Sequence, residues 1–480
     1  MKLKKLIKGL SVVELIGNDD LEIKDVVCDS KAVTSGGLFI CIKGGNFDGH
    51  LYVRQAEQYG AVCVVVEKMV DTSLTQVIVK DTRKAMSIIA SNLYERPEKD
   101  LNLIGVTGTN GKTTTSHLIG SILNNYGINC GIIGTLGTFY NQEYVNPSLT
   151  TPDPLVLFKL FREMVDSGVK AVVMEVSAHA SYLSKLEGLE FEVGVFTNLT
   201  QDHLDFFGNM QAYKEAKFNF FRNNKVKYAV INSDDSLGLE LGKIVKKPVY
   251  YGMDNPADVF AIDLEFTDEK THFIINLFDN IYMTKINLKG RFNVYNALAC
   301  ATTCALLNVP TKKIIEGLSI AGQVSGRLQT IYNDKFSVVV DYAHTPDGLE
   351  KCLTAVKEGC KGRVICVFGC GGNRDAEKRE IMGEVSGKIA DFTILTTDNP
   401  RYEEPMDIIW QIEKGVLKNT KNYLLIQDRK EAIEYAICMA KKKDVILIAG
   451  KGSEQYQEVL GIKKPYNDKD TVEEILRGIK

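Results

Sequence analysis

LNLIGVTGTNGKTTTSHLIG, residues 101–120, is the stretch whose reading decides the fold. It opens as a short apolar run with the character of a buried strand, turns through Gly105, Gly108 and Gly111, and continues from Lys112 as a helix-forming segment. A strand, a glycine-rich turn and a helix in that order gather backbone N–H groups around a phosphate. Gly108 and Gly111 let the backbone turn inward around Thr109 and Asn110. Lys112 then supplies a point charge to the β- and γ-phosphates, and Thr113 can offer its hydroxyl to Mg²⁺. The spacing departs slightly from GxxxxGK[ST]. Three residues separate Gly108 from Lys112, and Gly105 can serve as the first glycine of a longer form.

Outward from this loop the chain alternates strand-like and helix-like runs. AVVMEVS, VGVFTNLT and YAVINSDD follow it, with helical patterns between them, and a stretch rich in β-branched and aromatic residues spans 258–289. Such alternation builds a parallel sheet with helices on both faces. Upstream, GLFICIKG, AVCVVVEK and TQVIVKD form a smaller α/β unit that ends at the polar link ERPEKD. Downstream of SGRLQ, the runs KFSVVVDYAH, RVICVFGC, DFTILTTD, YLLIQD and DVILIAGKG read as a doubly wound, Rossmann-like sheet. The expected fold is therefore α/β with three domains: a small α/β unit at 1–98, a central P-loop domain with a parallel sheet at 99–328, and a Rossmann-like domain at 329–480.

Composition narrows the function classes without naming one. With 58 basic and 61 acidic side chains among 480 residues, the net charge is −3, which offers no general attraction to nucleic acid or to an anionic membrane. Eleven scattered cysteines with no CxxC pair suggest reduced thiols. MKLKKLIKGLSVVELIG is broken by Glu14 and reads as an amphipathic helix rather than a signal peptide. No apolar run approaches the ~18 residues of a membrane span. A cytoplasmic monomer with no nucleic-acid partner and no integral membrane segment is expected.

Two further residues sit where open parallel sheets collect their sites, just beyond strand ends. They are Glu175 in MEVSAHA and His203 in TNLTQDHLDFFG. Taken singly, Glu175 reads as a strand-end surface charge and His203 as a helix-capping or packing histidine, but a carboxylate and an imidazole together beside the glycine loop favour a metal held against a terminal phosphate. No NKxD motif supports a GTPase.

The ordered blocks GVTGTNGKTTT, TTPDP (150–154), MEVSAHA, TNLTQDHLDFFG, FNVYNALAC (292–300), DYAHTPDGLE (341–350), GCGGNRD (369–375), TTDNPR (396–401) and GKGSE (450–454) together resemble the Mur ligases of bacterial cell-wall synthesis. The resemblance is nearest to the branch that adds the third peptide residue. It implies an ATP-dependent, ADP-forming ligase that joins meso-diaminopimelate to UDP-N-acetylmuramoyl-L-Ala-D-Glu through an acyl phosphate. It implies UDP binding by the first domain, ATP by the second and the amino acid by the third. Lys112, His203 and Lys217 become the catalytic candidates. Thr113, Glu175, His203 and Lys217 become the metal set, with Lys217 carrying a CO₂-derived carbamate. On its residues alone, Lys217 in AYKEAKF reads as a solvated helix lysine.

The resemblance further has Gly108, Thr109, Asn110, Gly111, Lys112, Thr113 and Thr114 grip the ATP and places Asn293, Asn296, Arg327, Asp341 and His344 near the nucleotide. It assigns the UDP-sugar end to Ser30, the neighbourhood of Asn46 to His50, Thr150, Thr151, Ser177 and Lys185. It assigns the amino acid to Arg374, Asp398, Asn399, Pro400, Arg401, Gly450 and Glu454. Arg401 favours diaminopimelate over lysine, since a guanidinium fork suits the extra carboxylate. Three positions depart from the family pattern: Phe207 and Ser453 stand where histidine is usual, and GGNRDAEKRE lacks the usual proline and glycine. L-lysine as the substrate, a folate-polyglutamate or cyanophycin-type ligase, and a regulatory nucleotide-binding paralogue remain the alternatives.

Overall fold

The strand Asn102–Thr107 lies inside an eleven-stranded sheet, hydrogen-bonded in parallel to Ala171–Glu175 on one side and Glu190–Phe196 on the other. The computed structural model describes residues 1–479 except 46, 148, 268 and 269. Side chains alternate across this strand. Ile104 and Val106 face a cluster with Leu118, Ile119 and Leu298, while Leu103 faces Leu157, Phe158 and Phe191. Both faces are thus covered, which explains why the strand reads as continuously apolar. The parallel order continues outward through Lys225–Asn232, Pro248–Gly252 and Val259–Phe266 on one side and Cys130–Gly134 on the other. The aromatic stretch at 258–289 forms antiparallel strands, Val259–Phe266, Thr271–Leu277 and Asn280–Ile286, at one edge.

A five-stranded sheet precedes this one and a six-stranded sheet follows it. In the first, only Val12–Ile16 runs antiparallel, against Thr75–Val79. This corrects the expected N-terminal helix. Helix is confined to Leu3–Leu6, the chain turns at Gly9 with φ +82°, and the residues after it pair with a strand 60 or so positions away that no local pattern announces. In the last sheet, Gln329–Asn333 runs antiparallel to Ser337–Asp341, and the remaining strands are parallel. A separate hairpin, Tyr456–Val459 with Ile462–Pro465, packs beside it. Among the described residues no helix is long and apolar enough to cross a membrane.

The carboxyl ends of the central strands meet the start of the third sheet. The crossing contacts are polar: Asn110 Nδ2 donates to Asp347 Oδ2 at 2.8 Å, Arg327 Nη2 to Thr113 Oγ1 at 3.0 Å, and Arg374 Nη1 to Asp205 Oδ2 at 3.2 Å.

Candidate active site

The glycine loop is shaped by close approach. Gly108 has φ +147° and Gly111 φ +87°, and a Cβ at either would collide with Thr197 Oγ1 or Asn296 Oδ1. Gly111 leads directly into the helix Lys112–Tyr126, so the helix N-terminus points into the loop. Two lysines converge on one oxygen there. Lys112 Nζ donates to the Gly108 carbonyl at 2.9 Å and the Thr109 carbonyl at 2.8 Å, and Lys217 Nζ donates to the same Gly108 carbonyl at 2.7 Å. Lys217 is 1% exposed, on the inner face of the helix Met210–Asn223 with its Nζ 4.6 Å from the Tyr213 ring centroid. Burial, and then the Lys112 charge beside it, drive the Lys217 amine well below its ordinary pKa. Burial also lowers Lys112, against the pull of Glu175 and Asp202.

Glu175 ends its strand buried, its carboxylate accepting from Thr135 N–H at 2.8 Å and Thr135 Oγ1 at 3.1 Å. His203 precedes the short helix Leu204–Phe207 with φ +55°, and its side chain makes no capping bond. Its Nε2 lies 3.4 Å from Asp202 Oδ2, and His344 Nε2 lies 3.7 Å from the same oxygen. Burial pushes the His203 imidazole down to about 3, despite Asp202. Burial alone would raise Asp202, but the His344 and His203 rings hold it below the carboxylate range. The pair at neutral pH is a carboxylate with a neutral imidazole. Among the described residues, no three His, Cys, Asp or Glu side chains form a metal cage.

A cavity of about 680 Å³ joins these groups. Thr109 to Thr114, Glu175, His203 and Lys217 line it from the central sheet, and Arg327, Asp341 and His344 line it from the other side. Asn296 lines it as well, accepting from Thr115 Oγ1 at 3.3 Å and donating to Asn293 Oδ1 at 2.9 Å. Asn293 stands behind, donating to the Lys289 carbonyl at 2.8 Å. The Arg327 guanidinium stacks 4.6 Å from the Tyr342 ring centroid. Asp341 is a bracket: its carboxylate accepts from Leu328 N–H at 2.6 Å and Ala343 N–H at 2.7 Å.

Thr150 and Ser177 reach the same cavity. Thr151 fixes Ser177 in place, donating to the Glu175 carbonyl at 2.8 Å and accepting from Ser177 N–H at 3.0 Å, while the Thr150 hydroxyl lies 3.2 Å from Thr135 Oγ1. Lys185 is buried, with Nζ 2.8 Å from Asp153 Oδ1. Ser30 lies apart in the first sheet's region, donating to Gln55 Oε1 at 2.7 Å. His50 accepts from Glu67 N–H at Nε2, which leaves Nδ1 to donate to Asp48. Asn46 is outside the described residues.

The remaining candidates form a second cluster at the ends of the third sheet. Asp398, Asn399 and Pro400 are buried, and Arg401 adopts φ +52°, a left-handed conformation that costs a side-chain-bearing residue about 1–3 kcal/mol. Backbone bonds to the hairpin hold it: Arg401 N–H donates to the Glu458 carbonyl at 3.1 Å, and Leu460 N–H to the Arg401 carbonyl at 2.6 Å. The guanidinium donates to the Gly372 carbonyl at 2.7 Å and lies 3.4 Å from Glu458 Oε2. Glu454 accepts from Asn399 Nδ2 at 2.9 Å, and Gly450 N–H donates to the Asp341 carbonyl at 3.1 Å. Arg374 stands half exposed, on Asp205 across the cleft.

Asp202, Tyr213, Asp347 and Lys451 belong to these clusters and escape the sequence reading. Asp202 lies beside His203 in TNLTQDHLDFFG, Lys451 in GKGSE, Asp347 in DYAHTPDGLE and Tyr213 in AYKEAKF, and nothing local distinguishes any of the four from its neighbours.

Three family descriptions match the chain in order. "Mur ligase family, catalytic domain" matches residues 22–98, "Mur ligase middle domain" residues 106–304, and "Mur ligase, glutamate ligase domain" residues 326–452. The chain is 42% identical over 487 residues to UDP-N-acetylmuramoyl-L-alanyl-D-glutamate--2,6-diaminopimelate ligase 1 of Clostridium acetobutylicum, covering 100% of both. It is 42% identical over 483 residues to the 2,6-diaminopimelate ligase of the same description from Halalkalibacterium halodurans, covering 99% of each. A solved structure of a UDP-N-acetylmuramoyl-L-alanyl-D-glutamate--2,6-diaminopimelate ligase superposes with a TM-score of 0.72 at 29% identity, over 100% of this chain and 99% of that one. With three family matches in order and full-length relatives at this identity, the chain belongs to the Mur ligase family.

Proposed function

We propose that this protein joins meso-diaminopimelate to UDP-N-acetylmuramoyl-L-alanyl-D-glutamate, with ATP converted to ADP and phosphate. The 42% identity to ligases of that description along the whole chain carries the reading. Residues 1–98 bring the UDP end, 99–328 the ATP and 329–480 the amino acid. The work falls in the cytoplasm, and one chain supplies every group the reaction needs.

The glycine cradle, whose two turns would be filled by any Cβ, fits a polyphosphate. Thr113 and Glu175 fit Mg²⁺, which keeps several waters and takes other oxygens from its nucleotide. When bound, Mg²⁺ with the nucleotide would neutralise the charge developing on the transferred phosphoryl group. A carboxylate is a poor acyl donor until one oxygen can leave as phosphate. The terminal carboxylate of the dipeptide therefore attacks the γ-phosphoryl group, and the amine of the amino acid then displaces phosphate to leave an amide. Lys112 and Arg327 hold the phosphates, and neutral His203 can accept a hydrogen bond or a proton beside them. Lys217 would carry a carbamate. A neutral amine is the form that attacks CO₂, forming an N–C bond while the nitrogen proton departs, and burial beside Lys112 favours that form. Arg401 reads the far carboxylate of the amino acid.

The deciding experiment offers meso-diaminopimelate, L-lysine and L-ornithine with the UDP-linked dipeptide and ATP, scored by phosphate release and product mass. Diaminopimelate alone should give efficient turnover. Equal use of L-lysine would overturn the substrate assignment, and phosphate release indifferent to both acceptor and dipeptide would overturn the ligase reading.

A further inference from the structure

Lys451 is 0% exposed, yet it sits in the loop that closes over Asp398–Arg401. Its Nζ donates to Asn399 Oδ1 and to Glu454 Oε2, both at 2.9 Å. Taking an ammonium out of water costs several kcal/mol before its partners compensate, and an apolar residue of similar size would often serve stability as well. The cation's distinctive effect here is on its partners.

Asn399 Oδ1 accepts from Lys451 Nζ and also from Glu458 N–H at 2.9 Å, which uses both of its lone pairs. The amide orientation is thereby fixed, and Nδ2 must face Glu454, to whose Oε2 it donates at 2.9 Å. Asn399 has no acceptor left for a ligand. Glu454 takes both bonds on Oε2, and among the described residues Oε1 takes none, while the side chain keeps 22% exposure. Asp398 is arranged similarly. Its Oδ1 accepts from Asn399 N–H at 2.7 Å, and a side chain at Gly450 would press to 2.7 Å from its Oδ2.

We propose that Lys451 is a positioning residue for the ammonium at the far end of the incoming diamino acid. By holding Asn399 and Glu454 in a single arrangement, it presents Glu454 Oε1 beside Asp398 as acceptors for that ammonium, while Arg401 meets the neighbouring carboxylate. The selectivity for a second amine thus depends on a cation that never touches it. This rests on the reading above that the Asp398–Arg401 turn receives the amino acid.

The test compares meso-diaminopimelate with L-2-aminopimelate, which lacks only the far amine, as substrate or competitive inhibitor of the full-length enzyme. Lys451→Met should raise the KM for diaminopimelate about 30-fold. The binding of 2-aminopimelate and the KM for ATP should stay within about twofold, because neither uses the ammonium acceptors. Glu454→Gln should give the same selective loss, and the double variant should be no worse than either single one, since Lys451 acts through Glu454. If Lys451→Met does not fold, Lys451→Gln answers the same comparison. Equal losses for both amino acids, or a fall in kcat with unchanged KM, would overturn the proposal. Arg401→Ala separates the two readings: if it leaves the KM of both amino acids unchanged, the turn is not the amino-acid site, whereas a loss there with none at Lys451 defeats the positioning role alone.

Discussion

Lys112 and Lys217 donate to the same carbonyl oxygen, that of Gly108, and burial with the Lys112 charge drives the Lys217 amine well below its ordinary range. Asp202 favours the charge on both lysines, and Glu175 adds to it at Lys112, so Lys112 is the better placed to stay a cation. Lys112→Ala should lower kcat by at least about 100-fold, the scale for removing one preorganised donor to a developing charge. Its KM for the amino acid should hold, since Arg401 and Glu454 lie in the other cluster. Phosphate release under saturating substrates measures this, and a rate near that of the unaltered enzyme would take the loop out of the chemistry. Lys112 is legible in the sequence because its role is local, set by the glycines beside it. Lys217 is not. AYKEAKF looks like a solvated helix face, and only packing of the helix Met210–Asn223 against the loop turns that lysine inward. Lys451 is hidden for the same reason: its two partners come from residues 52 and 3 positions away, and the first is set by the third sheet.

At the scale of elements, strands buried on both faces announce themselves. Leu103, Ile104, Val106 and Val172 to Met174 read as strands because no side of the sheet meets water. The edge elements do not, since Val12–Ile16 is a strand only by virtue of Thr75–Val79. The third sheet owes part of its lower end to Asp444, which joins the loop before Val445–Ala449 to the strand Val364–Phe368. Its carboxylate accepts from Arg363 N–H at 2.8 Å, Arg363 Nη2 at 2.7 Å and Lys441 N–H at 2.8 Å. Burial would raise this carboxyl, but the Arg363 guanidinium and the two N–H groups outweigh it and hold it below the usual range. A carboxyl whose folded pKa is depressed adds stability that is present above its unfolded value, about 3.9, and lost as pH falls through the folded value. Asp444→Asn should therefore cost about 2 kcal/mol at pH 7. Denaturant melts repeated at falling pH should show the two proteins converging below about pH 3.9. A difference that stays constant down to pH 2 would assign the effect to shape rather than charge.

The whole molecule brings the central and third sheets to one cleft, and its cavity is lined from both. Arg327 stands at that junction. It leaves the chain just before the third sheet begins, lies over Tyr342 and donates to Thr113 at the start of the helix that follows the loop. A residue so placed would couple nucleotide binding to the relation between the two sheets. Binding to the folded state alone stabilises it by about 2.7 kcal/mol at a ligand concentration 100 times Kd. ADP with Mg²⁺ should accordingly raise the Tm of the full chain. Arg327→Ala should shrink that rise by weakening binding about tenfold or more, the loss of one charge-assisted partner. Its Tm without nucleotide should change little, because the half-buried guanidinium can be replaced by water at Thr113. Thermal melts over a nucleotide titration measure both quantities. An unaltered nucleotide-dependent rise would mean that the central loop grips the nucleotide alone, with the third sheet serving only the amino acid.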